Sequence, residues 1–205
     1  MDDAGRLRAE GYTLLAHDRC HDGFLKLDRY QVRHRRFDGT TTPVLDREIV
    51  VGAECVGVLL YDPVRDAVVL IEQFRLPAAL TGDGAILIEI VAGRIDPGES
   101  PLAAVEREVR EETGCTILGA PERIAAALIS PGYNTERVHL YCAIVDASAA
   151  GGLHGLATED EDIRVLVLPY ETFAAWQTDG RIANLFTLHA GLWLALNRDR
   201  LRSGA

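Results

Sequence analysis

Apolar and polar positions divide the start of the chain into short extended segments around one strong turn. The turn cluster Asp-Gly-Thr-Thr-Thr-Pro fills residues 38–43, and its composition is typical of a break between strands. Residues 24–37 alternate imperfectly between apolar and polar, which predicts one or two strands, and residues 44–51 predict another. We therefore expect an N-terminal antiparallel β-sheet extension in residues 1–47.

After this extension the apolar runs become nearly continuous, which is typical of buried strands. Residues 56–61 and 67–74 predict two strands joined by a turn, and residues 86–92 predict a third. Helix signals follow, because Ser100 can cap a helix and a proline stands at the first helical position. Gly114 is a typical helix end, so a helix is predicted between these two residues.

The rest of the chain predicts four more strands and then two helices. The strands are predicted at residues 115–118, 124–129, 138–145 and 163–168, and the helices at residues 170–178 and 183–197. Four leucines of the last helix share helical spacing, which predicts ordinary core packing; they are Leu185, Leu188, Leu192 and Leu196. This order of elements predicts an α+β or α/β sandwich with a mixed sheet, formed by residues 48–205.

Length and charge exclude several classes of protein. A chain of 205 residues suits one compact domain with an extension better than two equal domains. The net charge of −10 argues against a nucleic-acid partner, since such binding needs a basic surface. No apolar run approaches the ~20 residues of a membrane-spanning helix, and the polar first ten residues do not resemble a signal peptide. We expect a cytoplasmic protein with no membrane partner.

The four cysteines are scattered along the chain, and none belongs to a Cys-x-x-Cys pair. This usage predicts buried, reduced thiols, as in cytosolic proteins. His17, Cys20 and His21 together could begin a zinc site, but no fourth ligand is evident, so we do not expect zinc.

The helix that begins after Ser100 contains three glutamates with the spacing of a single helix face. Glu108, Glu111 and Glu112 stand at i, i+3 and i+4. Three like charges at this spacing repel one another, which raises some of their pKa values unless a counterion is present. A hard divalent cation resolves the repulsion, since it binds several oxygen ligands. Taken alone, however, such glutamates are more often a solvated acidic face.

The residues around these glutamates form one long composite pattern. It resembles the Nudix box, G-x5-E-x7-R-E-U-x-E-E-x-G-U, where U is aliphatic. The matching positions are Gly93, Glu99, Arg107, Glu108, Val109, Glu111, Glu112, Gly114 and Cys115. Only the last position departs from the pattern, because Cys115 replaces an aliphatic residue; a buried cysteine is itself a small hydrophobe.

The resemblance implies a Nudix fold, with a mixed sheet between α-helices. It implies a Mg²⁺ site, with Mn²⁺ as a possible substitute, formed by the carbonyl of Ala92 and the three helix glutamates, and it makes Glu111 a catalytic candidate as well. It further implies that four residues of the box shape the loop and helix: Gly93, Glu99, Arg107 and Gly114.

Two further segments resemble the ADP-ribose pyrophosphatase subfamily. One is Ser-Pro-Gly at residues 130–132, in which Pro131 lies sixteen residues after the end of the box, with Glu136 following. The resemblance implies that Pro131, Gly132 and Glu136 bind substrate. The other is Glu-Gln-Phe-Arg ending at Arg75, where the resemblance implies an arginine that binds substrate phosphates through its guanidinium fork. Taken alone, these segments would be a plain turn and a surface charge.

An acidic segment at residues 152–163 leads into the predicted strand at 163–168. It could simply be a solvated loop. It also resembles the mobile loop of bacterial ADP-ribose pyrophosphatases, which delivers a glutamate toward the catalytic water. Glu159 is the favoured catalytic residue, with Glu161 as a close alternative.

Taken together, the resemblance implies metal-dependent hydrolysis of ADP-ribose to AMP and ribose 5-phosphate by a homodimer. In such dimers the N-terminal sheet crosses to the partner subunit. Hydrolysis of GDP-mannose or another nucleotide sugar is the alternative within enzymes. A non-catalytic sensor that binds ADP-ribose is a less favoured alternative, because the chain is acidic, shows no DNA-binding domain and contains all the required carboxylates.

Overall fold

A computed structural model describes residues 11–82 and 84–204 of the chain. The polar segment at residues 1–10, where we expected no signal peptide, lies outside the described residues. The chain divides into two compact units, one of residues 1–54 with 127–137 and the other of residues 55–126 with 138–205. The predicted domain boundary after residue 47 falls within a strand of the first unit.

The first unit contains a three-stranded antiparallel sheet in the order β1-β2-β3. Its strands are β1 (Tyr12–Asp22), β2 (Lys26–His34) and β3 (Leu45–Val51). The predictions at residues 24–37 and 44–51 are thereby confirmed, whereas β1 was missed. The pairing of β1 with β2 shifts register twice, so polar and apolar residues of β1 do not alternate cleanly.

A buried carboxylate occupies the middle of this sheet. Asp28 is 2% exposed and lies 2.7 Å from His17 Nε2, and it also pairs with the Arg19 guanidinium. The Arg19 hydrogen bond holds the pKa of Asp28 at about 2. Of the residues weighed for zinc, His17 engages Asp28, and the side chain of Cys20 is exposed. The expectation of buried thiols is wrong for Cys20 and correct for Cys142.

The second unit is built on a mixed eight-stranded sheet. Its path runs β10-β11-β5-β4-β9-β8, with β6 beside β5 and β7 beside β4. The strands are β4 (Glu54–Asp62), β5 (Ala67–Phe74), β6 (Ile86–Glu89), β7 (Val91–Arg94), β8 (Glu122–Leu128), β9 (Arg137–Ile144), β10 (Gly152–His154) and β11 (Ile163–Pro169). The helices are α1 (Leu76–Thr81), α2 (Pro101–Thr113), α3 (Tyr170–Thr178) and α4 (Leu185–Ser203).

Both faces of the central strands are buried, which explains their continuous apolar runs. Val58 and Leu60 of β4 face the cluster that includes Val105 and Val109 of α2, whereas the alternate residue Leu59 is equally buried on the other face. Strands and helices therefore form the α+β architecture that the sequence predicted, with a separate N-terminal sheet.

Several predicted boundaries differ from the structure. The single strand predicted at residues 86–92 is two strands that separate at Ile90, whose amide donates to Thr187 Oγ1 at 3.0 Å. The strand predicted at 115–118 is reduced to one bridge between Ile117 and Val145. Helix α1 was not predicted, and α4 continues beyond the predicted end at residue 197.

The prediction that the leucines of α4 form its core face is wrong for Leu185, Leu192 and Leu196, whereas Leu188 is half-buried. Leu185, Leu192 and Leu196 are 67%, 66% and 87% exposed. The buried residues of the helix are Thr187, Ala190, Gly191 and Leu194. At Gly191 the end of the Gln177 side chain of α3 fills the space that a Cβ would occupy. The helix therefore packs through small residues and Leu194 rather than through the leucine stripe.

Within the described residues, no helix is both long and apolar enough to cross a membrane.

Candidate active site

Helix α2 carries the acidic residues, and both of its ends are capped as the sequence indicated. Ser100 Oγ accepts a hydrogen bond from the amide of Ala103 at 3.2 Å, and Pro101 occupies the first helical position. Gly114 ends the helix with a φ of 66°, and its amide donates to the carbonyl of Arg110 at 3.0 Å. These caps set the helix boundaries and thus which residues face the sheet.

Two of the three glutamates lie on the buried face of α2. Glu108 and Glu112 are 8% and 2% exposed, and they share this face with Val105 and Val109, which pack into the core. Glu111 is half-buried. A solvated acidic face does not describe this arrangement, because burial of a carboxylate is costly unless a partner compensates it.

Arg107 holds the loop before α2 and two of the glutamates together. Its Nε and Nη2 donate to the two oxygens of Glu99 at 3.0 and 2.9 Å, and Nη2 also donates to the carbonyl of Arg94 at 2.8 Å. Its Nη1 donates to Glu108 at 2.7 Å and to Glu111 at 3.3 Å. The Arg107 guanidinium lowers the pKa of Glu99 to about 2. Arg107 and Glu99 therefore connect the loop after β7 to helix α2, as the resemblance implied.

Strand β7 lies directly against the glutamates. A Cβ at Gly93 would overlap the carboxylate of Glu108, so a side chain at this position would have to displace that carboxylate. The amide of Ala92 donates to Glu112 Oε2 at 3.2 Å. The structure thus brings the two predicted residues of β7 to the acidic face of α2.

The electrostatics of this cluster are unfavourable for two buried anions. Burial raises the pKa of Glu112 to about 9, and the charge of Glu108 adds to the rise. Burial also raises the pKa of Glu108, although Arg107 opposes the shift. A nearby cation would favour the ionised forms of both groups.

The donor chemistry of this cluster fits a hard divalent cation. Among the residues that the structure describes, no three His, Cys, Asp or Glu side chains already form a metal-binding group. Three converged side chains are not required for Mg²⁺, which keeps several waters and commonly uses one or two carboxylates together with substrate phosphates. Glu108 and Glu112 offer such a pair.

The acidic segment after β10 brings one of its two candidate glutamates to this cluster. Glu161 is half-buried, accepts from the amide of Leu156 at 3.3 Å, and adds to the rise in pKa of both Glu108 and Glu112. Glu159, the residue favoured from the sequence, ends a short 3₁₀ turn and is exposed. In this arrangement, Glu161 is the better placed of the two.

Arg75 lies within electrostatic reach of the cluster. Its positive charge opposes the rise in pKa of Glu112. Its Nε donates to Glu89 Oε2 at 2.7 Å, and 38% of its side chain is exposed. An arginine with this exposure, close to buried carboxylates, can contact a bound diphosphate.

Comparison with known proteins identifies the family. The model of the NUDIX domain matches residues 53–186. The chain belongs to the Nudix family. ADP-ribose pyrophosphatase of Escherichia coli K12 is 40% identical over 190 residues, which cover 93% of this chain and 90% of that protein. ADP-ribose pyrophosphatase of Haemophilus influenzae is 33% identical, with coverage of 98% and 94%. GDP-mannose pyrophosphatase of Pectobacterium atrosepticum is 35% identical, with coverage of 78% and 82%.

In this Nudix protein the other predicted substrate-binding residues belong to the first compact unit. Pro131 and Gly132 form a turn in which the amides of Tyr133 and Asn134 donate to the carbonyl of Ser130. Glu136 follows, and its amide donates to Asn134 Oδ1 at 2.8 Å. Since these residues lie in a different unit from the α2 glutamates, their joint participation in one site stays a prediction.

Sequence reasoning missed two polar residues of the Nudix domain that are linked to Arg75 by hydrogen bonds, one directly and one through the other. Glu89 is 5% exposed and pairs with Arg75, and Asn184 donates to the same carboxylate. The sequence did contain a signal for Glu89, since it is a lone charge within the apolar run of residues 86–92. Asn184 directly precedes a helix, as a capping residue would.

Proposed function

We propose that this Nudix protein hydrolyses the pyrophosphate of ADP-ribose to AMP and ribose 5-phosphate, using Mg²⁺ or, in its place, Mn²⁺. The observation that carries the proposal is the buried pair Glu108 and Glu112, which lies against β7 and within electrostatic reach of Glu161 and Arg75. Similarity to ADP-ribose pyrophosphatases over 93% or more of the chain supports the substrate.

The cation would be held by Glu108, Glu111, Glu112 and the carbonyl of Ala92. When bound, it supplies charge neutralisation at the pyrophosphate and acidifies water. Arg107 maintains the helix glutamates in place through its hydrogen bonds to Glu108 and Glu111.

The remaining side chains supply orientation and proton transfer. We assign the attacking water to Glu161, which would orient it and accept its proton. Glu159 is the second candidate for this role. Because its side chain is exposed, the segment between β10 and β11 would have to move to bring it to Glu108 and Glu112. Arg75 binds the diphosphate, and Pro131, Gly132 and Glu136 are assigned to substrate binding as well.

GDP-mannose is the second candidate substrate, because two GDP-mannose pyrophosphatases match 78% of the chain at 34–35% identity. ADP-ribose is preferred because the ADP-ribose relatives match a larger share of the chain. We also propose that the protein acts in the cytoplasm as a homodimer; a single 22.4 kDa species in light scattering would contradict the dimer.

The proposal is tested by incubating the purified protein with ADP-ribose, GDP-mannose, ADP-glucose and NADH. Each substrate is offered with Mg²⁺ and with a chelator, and the nucleotide product is identified. We expect AMP to be released fastest from ADP-ribose, and only with metal. Faster turnover of GDP-mannose would replace the substrate and keep the reaction class. Tight ADP-ribose binding without turnover of any compound would indicate a sensor instead of an enzyme.

A further inference from the structure

Glu89 is a buried carboxylate outside the predicted metal site. It ends β6, is 5% exposed, and has two polar partners on different elements. Arg75, which follows β5, donates from Nε to Glu89 Oε2 at 2.7 Å. Asn184, which precedes α4, donates from Nδ2 to Glu89 Oε1. A buried charge is tolerated when it is paired in this way, and removal of one partner leaves it uncompensated.

The contact with Glu89 determines which atoms of Arg75 stay available. Nε is engaged, whereas a guanidinium offers five N–H donors in a planar fork. The backbone of Arg75 is also held, since its amide donates to the carbonyl of Ala85 at 2.8 Å and its carbonyl accepts from Ala79 at 3.1 Å. With its backbone and Nε fixed, the plane of the guanidinium is set, and its terminal N–H groups can face paired phosphate oxygens.

Asn184 connects this pair to the start of α4. Its Oδ1 accepts from the amides of Phe186 and Thr187 at 2.9 and 3.1 Å, which is the geometry of a helix N-cap. Its Nδ2 is thereby turned toward Glu89. The first turn of α4 makes a second contact at the end of β6, because Thr187 Oγ1 accepts a hydrogen bond from the amide of Ile90, the residue after Glu89, at 3.0 Å.

We propose that Glu89 and Asn184 are positioning residues that hold Arg75 in the orientation required to bind the diphosphate of the substrate. The inference rests on the proposed function, in which Arg75 binds that group. Glu89 acts through Arg75, and Asn184 acts through Glu89. The alternative is an ion pair that merely stabilises the junction of β6 and α4.

Two conservative variants separate these roles. Glu89→Gln keeps the shape of the side chain and removes its charge. Asn184→Ser keeps a capping oxygen for α4, because serine is a good N-cap, but its short hydroxyl cannot replace the amide donor. The matched control is Glu72→Gln. Glu72 lies on β5, the strand that leads to Arg75, and the substitution breaks its ion pair with Arg164 of β11.

For each variant of the full chain we would measure kcat and KM for ADP-ribose with Mg²⁺, the Kd of ADP-ribose by calorimetry with chelator, and Tm. We expect Glu89→Gln and Asn184→Ser to raise KM and Kd about tenfold and to leave kcat little changed. The reason is that the lost charge-assisted contact of Arg75 with the diphosphate is made equally in the ground state and the transition state. The control should leave all three constants near the wild-type values.

A double variant tests whether Glu89 acts through Arg75. Arg75→Gln alone should weaken binding at least as much as Glu89→Gln, and adding Glu89→Gln to it should weaken binding no further. Lower Tm with unchanged KM and Kd in both conservative variants would overturn the inference and leave a structural ion pair, while the proposed function stands. Wild-type protein that does not turn over ADP-ribose would instead reject the proposed function, and the inference with it.

Discussion

The carboxylate of Glu108 occupies the space beside the backbone of Gly93 that a side chain at position 93 would fill, so any side chain there must displace it. This relationship joins the first residue of the box to the first of its metal-binding candidates, across fifteen positions of sequence. It gives a physical reason for glycine at position 93, since its φ lies outside the left-handed region and the requirement is space.

Gly93→Ala should therefore displace Glu108 and impair the site. We expect kcat to fall at least tenfold and the affinity for Mn²⁺ to weaken, because a shift of about 1 Å in a catalytic group commonly costs that much or more. Mn²⁺ affinity would be measured by calorimetry or electron paramagnetic resonance, independently of turnover. Gly98→Ala is the matched control: Gly98 has a φ of 85° and open space around it, so alanine strains the backbone without touching Glu108. Equal loss of Mn²⁺ affinity in both variants would refute the steric explanation.

Glu112 should make the metal-free protein less stable as the pH rises. Burial raises its pKa from 4.5 to about 9, so the folded state retains a proton that the unfolded state loses. Stability is then highest below pH 4.5 as far as this group is concerned, and it declines as the pH rises from about 4.5 to 9. Glu112→Gln should remove this decline, raise the Tm of the metal-free protein near pH 8, and reduce turnover by orders of magnitude.

Denaturant unfolding with chelator between pH 5 and 9 would measure the effect. Glu106→Gln on the exposed side of α2 is the control, and it should keep the wild-type pH profile. A Glu112→Gln variant with near-normal turnover would contradict the metal assignment, and an unchanged pH profile would contradict the burial argument.

The two glutamates of the acidic segment should differ in their effect on catalysis. The charge of Glu161 adds to the rise in the pKa of Glu108 and Glu112, so Glu161 lies near both, whereas Glu159 is exposed. Glu161→Gln should thus lower kcat by about 10²-fold or more, the usual worth of a general base, and Glu159→Gln should have a smaller effect. Single-turnover rates with saturating Mg²⁺ would compare them. The reverse order would mean that the segment rearranges on binding, and two unaffected variants would mean that it has no catalytic role.

The sequence was most informative where chemistry imposes a fixed spacing. Glu108 and Glu112 could be assigned to one helix face because helical periodicity places residues i and i+4 together, and both caps of α2 could be read from Ser100 and Gly114. The choice between Glu159 and Glu161 could not be read, because it depends on how an irregular segment folds back, here through the left-handed Asp160.

Periodicity was misleading where a tertiary contact overrides it. The leucines of α4 have perfect spacing for a core face, yet the helix packs through Ala190, Gly191 and Leu194. Glu89 was missed for a related reason, since a charge in an apolar strand is explained only by partners that are distant in sequence. Its partner Asn184 is 95 residues away.

Asp66 should anchor the C-terminal helix in a pH-dependent manner. Its carboxylate pairs with Arg198 and accepts from the Tyr61 hydroxyl at 2.7 Å, and the Arg198 guanidinium stacks 3.9 Å from the centre of the Tyr170 ring. The Arg198 hydrogen bond lowers the pKa of Asp66 from 3.8 to about 2, so its stabilising effect is complete above about pH 4 and is lost as the pH falls through about 2.

Asp66→Asn isolates the charge, because asparagine tolerates the left-handed φ of 54° at this position. We expect Tm at pH 7 to fall by several degrees, given that about 1 kcal/mol corresponds to roughly 2–4 °C in a chain of this size. The difference from wild type should shrink as the pH is lowered toward 2. Asp179→Asn is the control, since its ion pair with Arg181 is largely exposed and should contribute little. An Asp66→Asn protein with wild-type Tm at pH 7 would show that Arg198 and Tyr61 hold the helix without the charge.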